Sequence, residues 1–280
     1  MSTSSVDLPV PPSEMLARAI SASETKASMQ SGKTFLSAIL AGMYIAFGGV
    51  FSTVIATGTA QSLPYGIIKS LQGLVFSLGL ILVVIGGAEL FTGNMLMVTG
   101  LSHHKITWSG MLKNWGIVYV GNFAGSLLVA ALILLGKSYQ FAAGDYGLAM
   151  LKIAAAKSGY QPLQAFSLGI LCNILVCLAV WLTYSAKNTT DKILAILFPI
   201  SAFIAAGFEH SVANMYLVPV GLLLKVLDPG FVMSSGLELS SLTWPSFLLH
   251  NLLPVTIGNM IGGILFVGLI YAFIYKKSTN

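Results

Sequence analysis

Two stretches decide how this sequence folds: Gly86-Gly87-Ala88-Glu89-Leu90-Phe91-Thr92-Gly93-Asn94-Met95 and Gly207-Phe208-Glu209-His210-Ser211-Val212-Ala213-Asn214-Met215. Each sets a glutamate inside a long apolar run, and each continues with four residues and then Asn-Met. A charged side chain at the centre of a bilayer costs about 2.5–3.5 kcal/mol on insertion scales, so an acid there needs compensation. Glycines around Glu89, and Pro199 ahead of Glu209, supply the means to interrupt a helix. Unwound backbone at that depth is tolerated only where protein or an aqueous cavity surrounds it. The two breaks are therefore expected to face a pathway.

Working outward, Gly121-Asn122-Phe123-Ala124-Gly125 follows the first stretch and Gly258-Asn259-Met260-Ile261-Gly262 the second, in the same order. Apolar runs of spanning length fall at about Thr34 to Thr57, Ser70 to Thr99, Asn114 to Gly136, Leu163 to Ser185, Ile193 to Leu227 and Phe247 to Tyr275. Each half then holds three spans, and an odd number forces the second copy into the membrane upside down. The expected fold is an all-α integral membrane protein: six transmembrane helices as two inverted repeats, with the second and fifth helices broken.

Composition agrees with a lipid solvent. The 280 residues are 56% hydrophobic and 8% charged, against roughly 25% charged in an ordinary soluble domain. One membrane domain is expected over residues 34–280, with residues 1–33 forming a tail. Within that tail Ser13 to Ile20 mixes charged and apolar residues at helical spacing, with Ser13 as the expected N-cap. Arg18, Lys26, Lys33, Lys105, Lys113, Lys187, Lys192, Lys276 and Lys277 outnumber the five other basic residues, so the positive-inside rule makes both termini cytoplasmic. Trp108, Trp115, Trp181 and Trp244 lie near span ends, where indole rings prefer the headgroup region. The net charge of +5 is dispersed, with no basic run longer than Lys276-Lys277, and gives no footprint for nucleic acid. Cys172 and Cys177 share one apolar span and read as core residues.

The symmetric acids Glu89 and Glu209 have a structural reading, each carboxylate accepting backbone N–H bonds at a half-helix N-terminus. His210 differs, because its counterpart in the first half is Leu90. Imidazole exchanges protons near neutral pH, and at a break it could meet a permeating species. Thr92, Asn94 and Asn214 could bind a carboxylate or satisfy freed backbone. Asn173 is a lone amide in an apolar span, as glue between helices or as pore lining. Phe76 and Leu80 lie one turn apart and could narrow a pore or simply pack. Lys152 and Lys157 fall in an outer loop before the fourth span and could attract anions, although solvation is the ordinary state of a loop lysine. The Gly-x-x-x-Gly stretches suit bundle packing or oligomer contacts equally. His103, His104 and His250 have no metal-ligand spacing, so no metal or cofactor is expected.

With these residues in view, the sequence resembles the formate-nitrite transporter family, its formate-conducting members above all. The resemblance covers nearly the whole chain. Its marks are Gly87-Ala88-Glu89-Leu90-Phe91-Thr92-Gly93-Asn94, Phe203 with Gly207 to Met215, and Lys157 with Asn173 downstream. It implies an aquaporin-like protomer in a homopentamer, one pore per protomer, in the inner (plasma) membrane. It also implies a central site of His210 with Thr92, assisted by Lys157 and Asn173, and hydrophobic constrictions at Phe76, Leu80, Leu90 and Phe203. The implied mechanism has Lys157 drawing a small monovalent anion such as formate inward, and His210 donating a proton so that a neutral acid crosses the dry constrictions.

Three rival functions have distinct signatures. A water or polyol channel calls for paired Asn-Pro-Ala breaks, whereas Asn94 and Asn214 are followed by Met. A proton-coupled nitrite or hydrosulfide transporter suits the same midplane histidine. An enzyme needs a nucleophile, metal or cofactor cluster that one histidine and two symmetric glutamates do not assemble.

Overall fold

The computed structural model describes residues 9–58 and 63–276. The first eight residues of the expected tail, and Lys277 of the terminal basic pair, lie outside the described residues. Within them the chain is helical, with no strand. The helices are α1 (Pro12–Ser28), α2 (Ser31–Ala56), α3 (Tyr65–Gly86), α4 (Val98–Ser102), α5 (Trp108–Leu135), α6 (Asp145–Ser158), α7 (Pro162–Thr183), α8 (Thr189–Ala205), α9 (Ser211–Leu217), α10 (Pro219–Leu227), α11 (Pro229–Ser234) and α12 (Trp244–Ile274). Among them α2, α3, α5, α7 and α12 are long and apolar enough to cross a bilayer.

Helix α2 packs on α3 and α5, α3 on α8, and α7 on α8 and α12. The Gly-x-x-x-Gly stretches lie inside these contacts: Gly121 and Gly125 meet the α2 backbone, Gly258 and Gly262 that of α7. Their use is bundle packing. Leu36, Leu135, Phe198, Phe273 and Ile274 point outward, each 57% or more exposed, an arrangement that suits lipid rather than water.

Several local expectations need correction. Helix α1 starts at Pro12 after Pro11, so Ser13 is not the cap; proline fits the first helical position because its missing N–H has no partner there in any case. Pro199 does not interrupt α8, which runs through it to Ala205. The loop expected around Lys157 is α6, a helix whose short, partly polar sequence carries no spanning signal. Trp115 and Trp181 are buried at 5% and 2% exposure, whereas Trp108 and Trp244 are exposed. The Trp115 Nε1 donates to the Asn94 carbonyl at 2.9 Å, and Trp181 stacks on Tyr271 with ring centroids 4.4 Å apart. Helix α12 contains π segments at Phe247–Leu252 and Ile264–Leu269; the first ends two residues before Pro254, which cannot donate to the preceding turn.

Helix α1 is docked rather than loose. Its Met15, Leu16 and Ala19 bury against Trp181 and Ala272, and Arg18 donates to the carbonyls of Tyr184 and Ala186 at 2.9 and 3.2 Å.

Candidate functional site

Both breaks are made the same way. Helix α3 ends at Gly87 with φ +74°, and α8 is followed by Gly207 with φ +73°. This left-handed geometry is cheap only for glycine. The next residue then folds back: Ala88 N donates to Val83 O and Phe208 N to Phe203 O, each at 2.9 Å. Such a pairing closes a helix C-terminus and releases the chain from it.

An asparagine holds each released segment. Asn122 Nδ2 donates to the carbonyls of Ala38 (2.8 Å) and Glu89 (2.9 Å), and its Oδ1 accepts from Phe91 N at 2.9 Å. Asn259 does the same with Gly169 O (2.8 Å), Glu209 O (2.9 Å) and Ser211 N (2.9 Å). The side chains thus satisfy the backbone groups that unwinding exposes, as a buried break requires.

The carboxylates take side-chain partners, which corrects the expectation of backbone N–H donors. Glu89 accepts from Lys26 Nζ at 2.6 Å and from Asn94 Nδ2 at 2.7 Å, with Asn114 Nδ2 at 3.5 Å. Glu209 accepts from Lys157 Nζ at 2.6 Å, Asn214 Nδ2 at 2.7 Å and Asn251 Nδ2 at 3.1 Å. The second amide of each set also donates to the carbonyl of its lysine, Asn114 to Lys26 and Asn251 to Lys157. Each buried acid is therefore paired and hydrogen-bonded, the condition under which a buried charge is tolerable.

Where the halves differ, they make a polar centre. The imidazole of His210 caps α9, its Nδ1 accepting from Ala213 N at 3.1 Å. That assigns the proton of the neutral ring to Nε2, which lies 2.8 Å from Thr92 Oγ1 and donates to it. The Asn-clamp pattern aligns Leu90 with His210, and Val212 with Thr92. It also aligns Ala38 with Gly169, so Gly42 stands where the second half has Asn173. Asn173 spends both amide hydrogens on backbone, at Thr92 O (3.2 Å) and Asn259 O (2.7 Å). Its buried Oδ1 has no hydrogen-bond partner among the described residues. Every polar member of this centre stands where the other half has an apolar residue or glycine.

Aromatic rings complete the centre. Phe203 stacks on His210 (centroids 5.9 Å, 28° between planes), and Phe76 meets Phe203 edge-on at 5.7 Å. Phe76, Leu80, Leu90 and Phe203 are all buried at 2% exposure or less. Two cavities with no lining residue in common adjoin this region. One of about 610 Å³ is lined by Arg18, Lys26, Leu80, Glu89, Leu90 and Lys192 among others. The other, about 150 Å³, is lined by Lys69, Lys157, Tyr160, Phe208 and Glu209 among others. Thr92 and His210 line neither, but each sits within two residues of a lining residue.

Of the residues expected from sequence, Thr92, His210, Asn173, Phe76 and Phe203 come together. Leu80 and Leu90 floor the larger cavity, and Lys157 is bound to Glu209. Sequence reasoning missed Lys26, Asn114 and Asn251 as partners of the acids. A signal existed for the amides: Asn114 and Asn251 each precede a clamp asparagine, Asn122 or Asn259, by the same eight positions.

Comparison with known proteins agrees with this architecture. Residues 13–273 match the formate/nitrite transporter family. The formate channel FocA of Escherichia coli strain K12 is 42% identical over 273 residues, 96% of this chain and 95% of that protein. FocA of Haemophilus influenzae is 42% identical over 255 residues, 90% of this chain and 89% of that protein. A solved pentameric formate channel with formate bound superposes with a TM-score of 0.80 at 42% identity, covering 88% of this chain and 98% of that one. A chain matched in sequence and fold over nearly its full length, with both breaks intact, belongs to the formate/nitrite transporter family.

Proposed function

We propose that this chain is a membrane channel for formate and related small monovalent anions, working as a homopentamer with one passage in each protomer. The observation that carries the reading is the Thr92–His210 pair, next in the chain to lining residues of two separate cavities and at positions where the repeat itself asks for no polar side chain. Burying polar side chains carries a desolvation cost that their hydrogen bonds must offset, so a polar pair that the repeat does without points to a role beyond folding.

The proposed architecture has six crossings in two inverted halves over residues 34–280. The fifth crossing is made of α8 with the α9–α10 pair, and the sixth is α12. Residues 1–33, including α1, form the tail, and both termini are cytoplasmic in the inner (plasma) membrane. The larger cavity then faces the cytoplasm and the smaller one the opposite side. The passage runs from the larger cavity past Leu80 and Leu90 to Thr92 and His210, then past Phe76 and Phe203 to the smaller one.

In the dry centre a bare carboxylate meets a large desolvation cost. The neutral imidazole offers its Nε2 proton as a donor, and Thr92 Oγ1 offers a hydroxyl. Asn173 offers only an acceptor, which suits the O–H of a protonated acid or of water. For His210 to hand over a proton, its ring must first carry two, and Nδ1 can take one only by releasing the Ala213 N–H. Proton exchange is thereby coupled to uncapping of α9. The carboxylates and their lysines hold the breaks open on either side of this step.

Purified protein in proteoliposomes tests the reading with a panel of formate, nitrite and hydrosulfide, alongside osmotic swelling for water and glycerol. Saturable formate flux without accumulation against a gradient supports a passive formate channel. Preference for nitrite or hydrosulfide with accumulation assigns the coupled transporter instead, and swelling without anion flux removes the anion reading.

A further inference from the structure

The smaller cavity holds a charge that the breaks do not use. Lys157 and Glu209 neutralise each other at 2.6 Å, with side chains only 16% and 2% exposed. Lys69, on the first turns of α3, lines the same cavity. Its ammonium makes no hydrogen bond or ion pair within 4 Å among the described residues and lies over the ring of Tyr65, 5.7 Å from the centroid. A cation over an aromatic face keeps its full charge and stays available to an anion. Gln72, one turn further along α3, has an amide hydrogen committed to Ser52 O at 3.2 Å. The net charge of the cavity-lining residues is thus one positive unit, and it resides on Lys69.

We infer that Lys69 is the residue that captures the permeating anion at the mouth of the smaller cavity, while Lys157 positions Glu209 and contributes little net attraction. The inference rests on the channel reading above. An unpaired cation in a concave, low-dielectric mouth raises the local concentration of small anions and so acts on half-saturation and on the encounter rate. It does not touch the Thr92–His210 centre and leaves the maximal rate alone. The effect of Lys69 is one-sided, because it lines the smaller cavity and not the larger one.

The test is formate flux through the full-length wild type, K69Q, K69R and K69E in proteoliposomes, measured from each face at low and high concentration of a non-permeant salt. From the face of the smaller cavity, K69Q should raise the half-saturating formate concentration about threefold at low salt, the effect of one charge ~7 Å away in a water-like medium. K69E should raise it further, K69R should restore it, and the maximal rate and its pH profile should stay the same. At about 1 M salt the differences should vanish, since screening then acts within ~3 Å. An unchanged half-saturation for K69Q, or a K69R as impaired as K69Q, overturns the inference while leaving wild-type conduction intact. A wild type that moves none of the panel anions overturns the channel reading and this inference with it.

Discussion

Thr92 and His210 stand 118 positions apart in sequence and 2.8 Å apart in space, and each replaces an apolar residue of the other half, Val212 and Leu90. The pairing fixes the orientation of the imidazole from one side as the Ala213 N–H fixes it from the other. Thr92→Val copies the shape found in the matching position while removing the hydroxyl. A buried donor left without its partner costs about 1–3 kcal/mol. If the hydroxyl contributes that much to the crossing step, formate flux should fall roughly tenfold or more, with the assembly intact by size-exclusion chromatography. Wild-type flux in Thr92→Val would remove this contact from the passage.

The acid–lysine pairs should behave as units. Removing one member of a buried pair leaves the other uncompensated and costs about 3–5 kcal/mol, whereas removing both can be nearly neutral. Lys157→Met and Glu209→Gln alone should therefore lower the unfolding temperature in detergent, Lys157→Met more, because it strands a carboxylate that is 2% exposed. The double variant should recover most of the loss. Additive losses would mean that the 2.6 Å contact contributes no coupling.

The positive φ angles at Gly87 and Gly207 make a matched prediction. An alanine in left-handed backbone costs about 1–2 kcal/mol, and open space surrounds both positions, so no clash adds to it. Gly87→Ala and Gly207→Ala should each lower the thermal midpoint by a similar amount. Serial measurement of both variants checks this, and a neutral result at either site contradicts the break geometry there.

Helix α1 is held by the Trp181–Tyr271 stack and by apolar burial. Trp181→Ala should raise hydrogen–deuterium exchange across residues 12–28 while exchange in α5 and α7 stays near wild type. Unchanged protection of α1 would assign its docking to Arg18 and Lys26 instead.

Much of this was legible in the sequence, for identifiable reasons. The two Glu-containing breaks and the Gly-Asn signatures repeat, and repetition marks positions that folding needs. His210 stood out because it departs from that repetition, and Thr92 does so against Val212 in the same way. The agents of the breaks were harder to see. Pro199 drew attention as a helix breaker, but one lost hydrogen bond inside a packed helix does not end it, whereas Gly207 does by its sign of φ. The partners of the acids were hidden because Lys26 and Lys157 sit on helices outside the spans, and only folding brings them to Glu89 and Glu209. Lys69 went unremarked because the apolar run of the second span begins only at Ser70, whereas α3 begins at Tyr65.

The most direct test of the account is the pH profile of formate flux in proteoliposomes containing His210→Asn. Asparagine can still cap α9 through its side-chain oxygen, so the break survives while the titrating ring is lost. The account predicts that the variant's flux no longer follows the wild-type dependence on pH. A His210→Asn channel with the wild-type profile at every pH would contradict it.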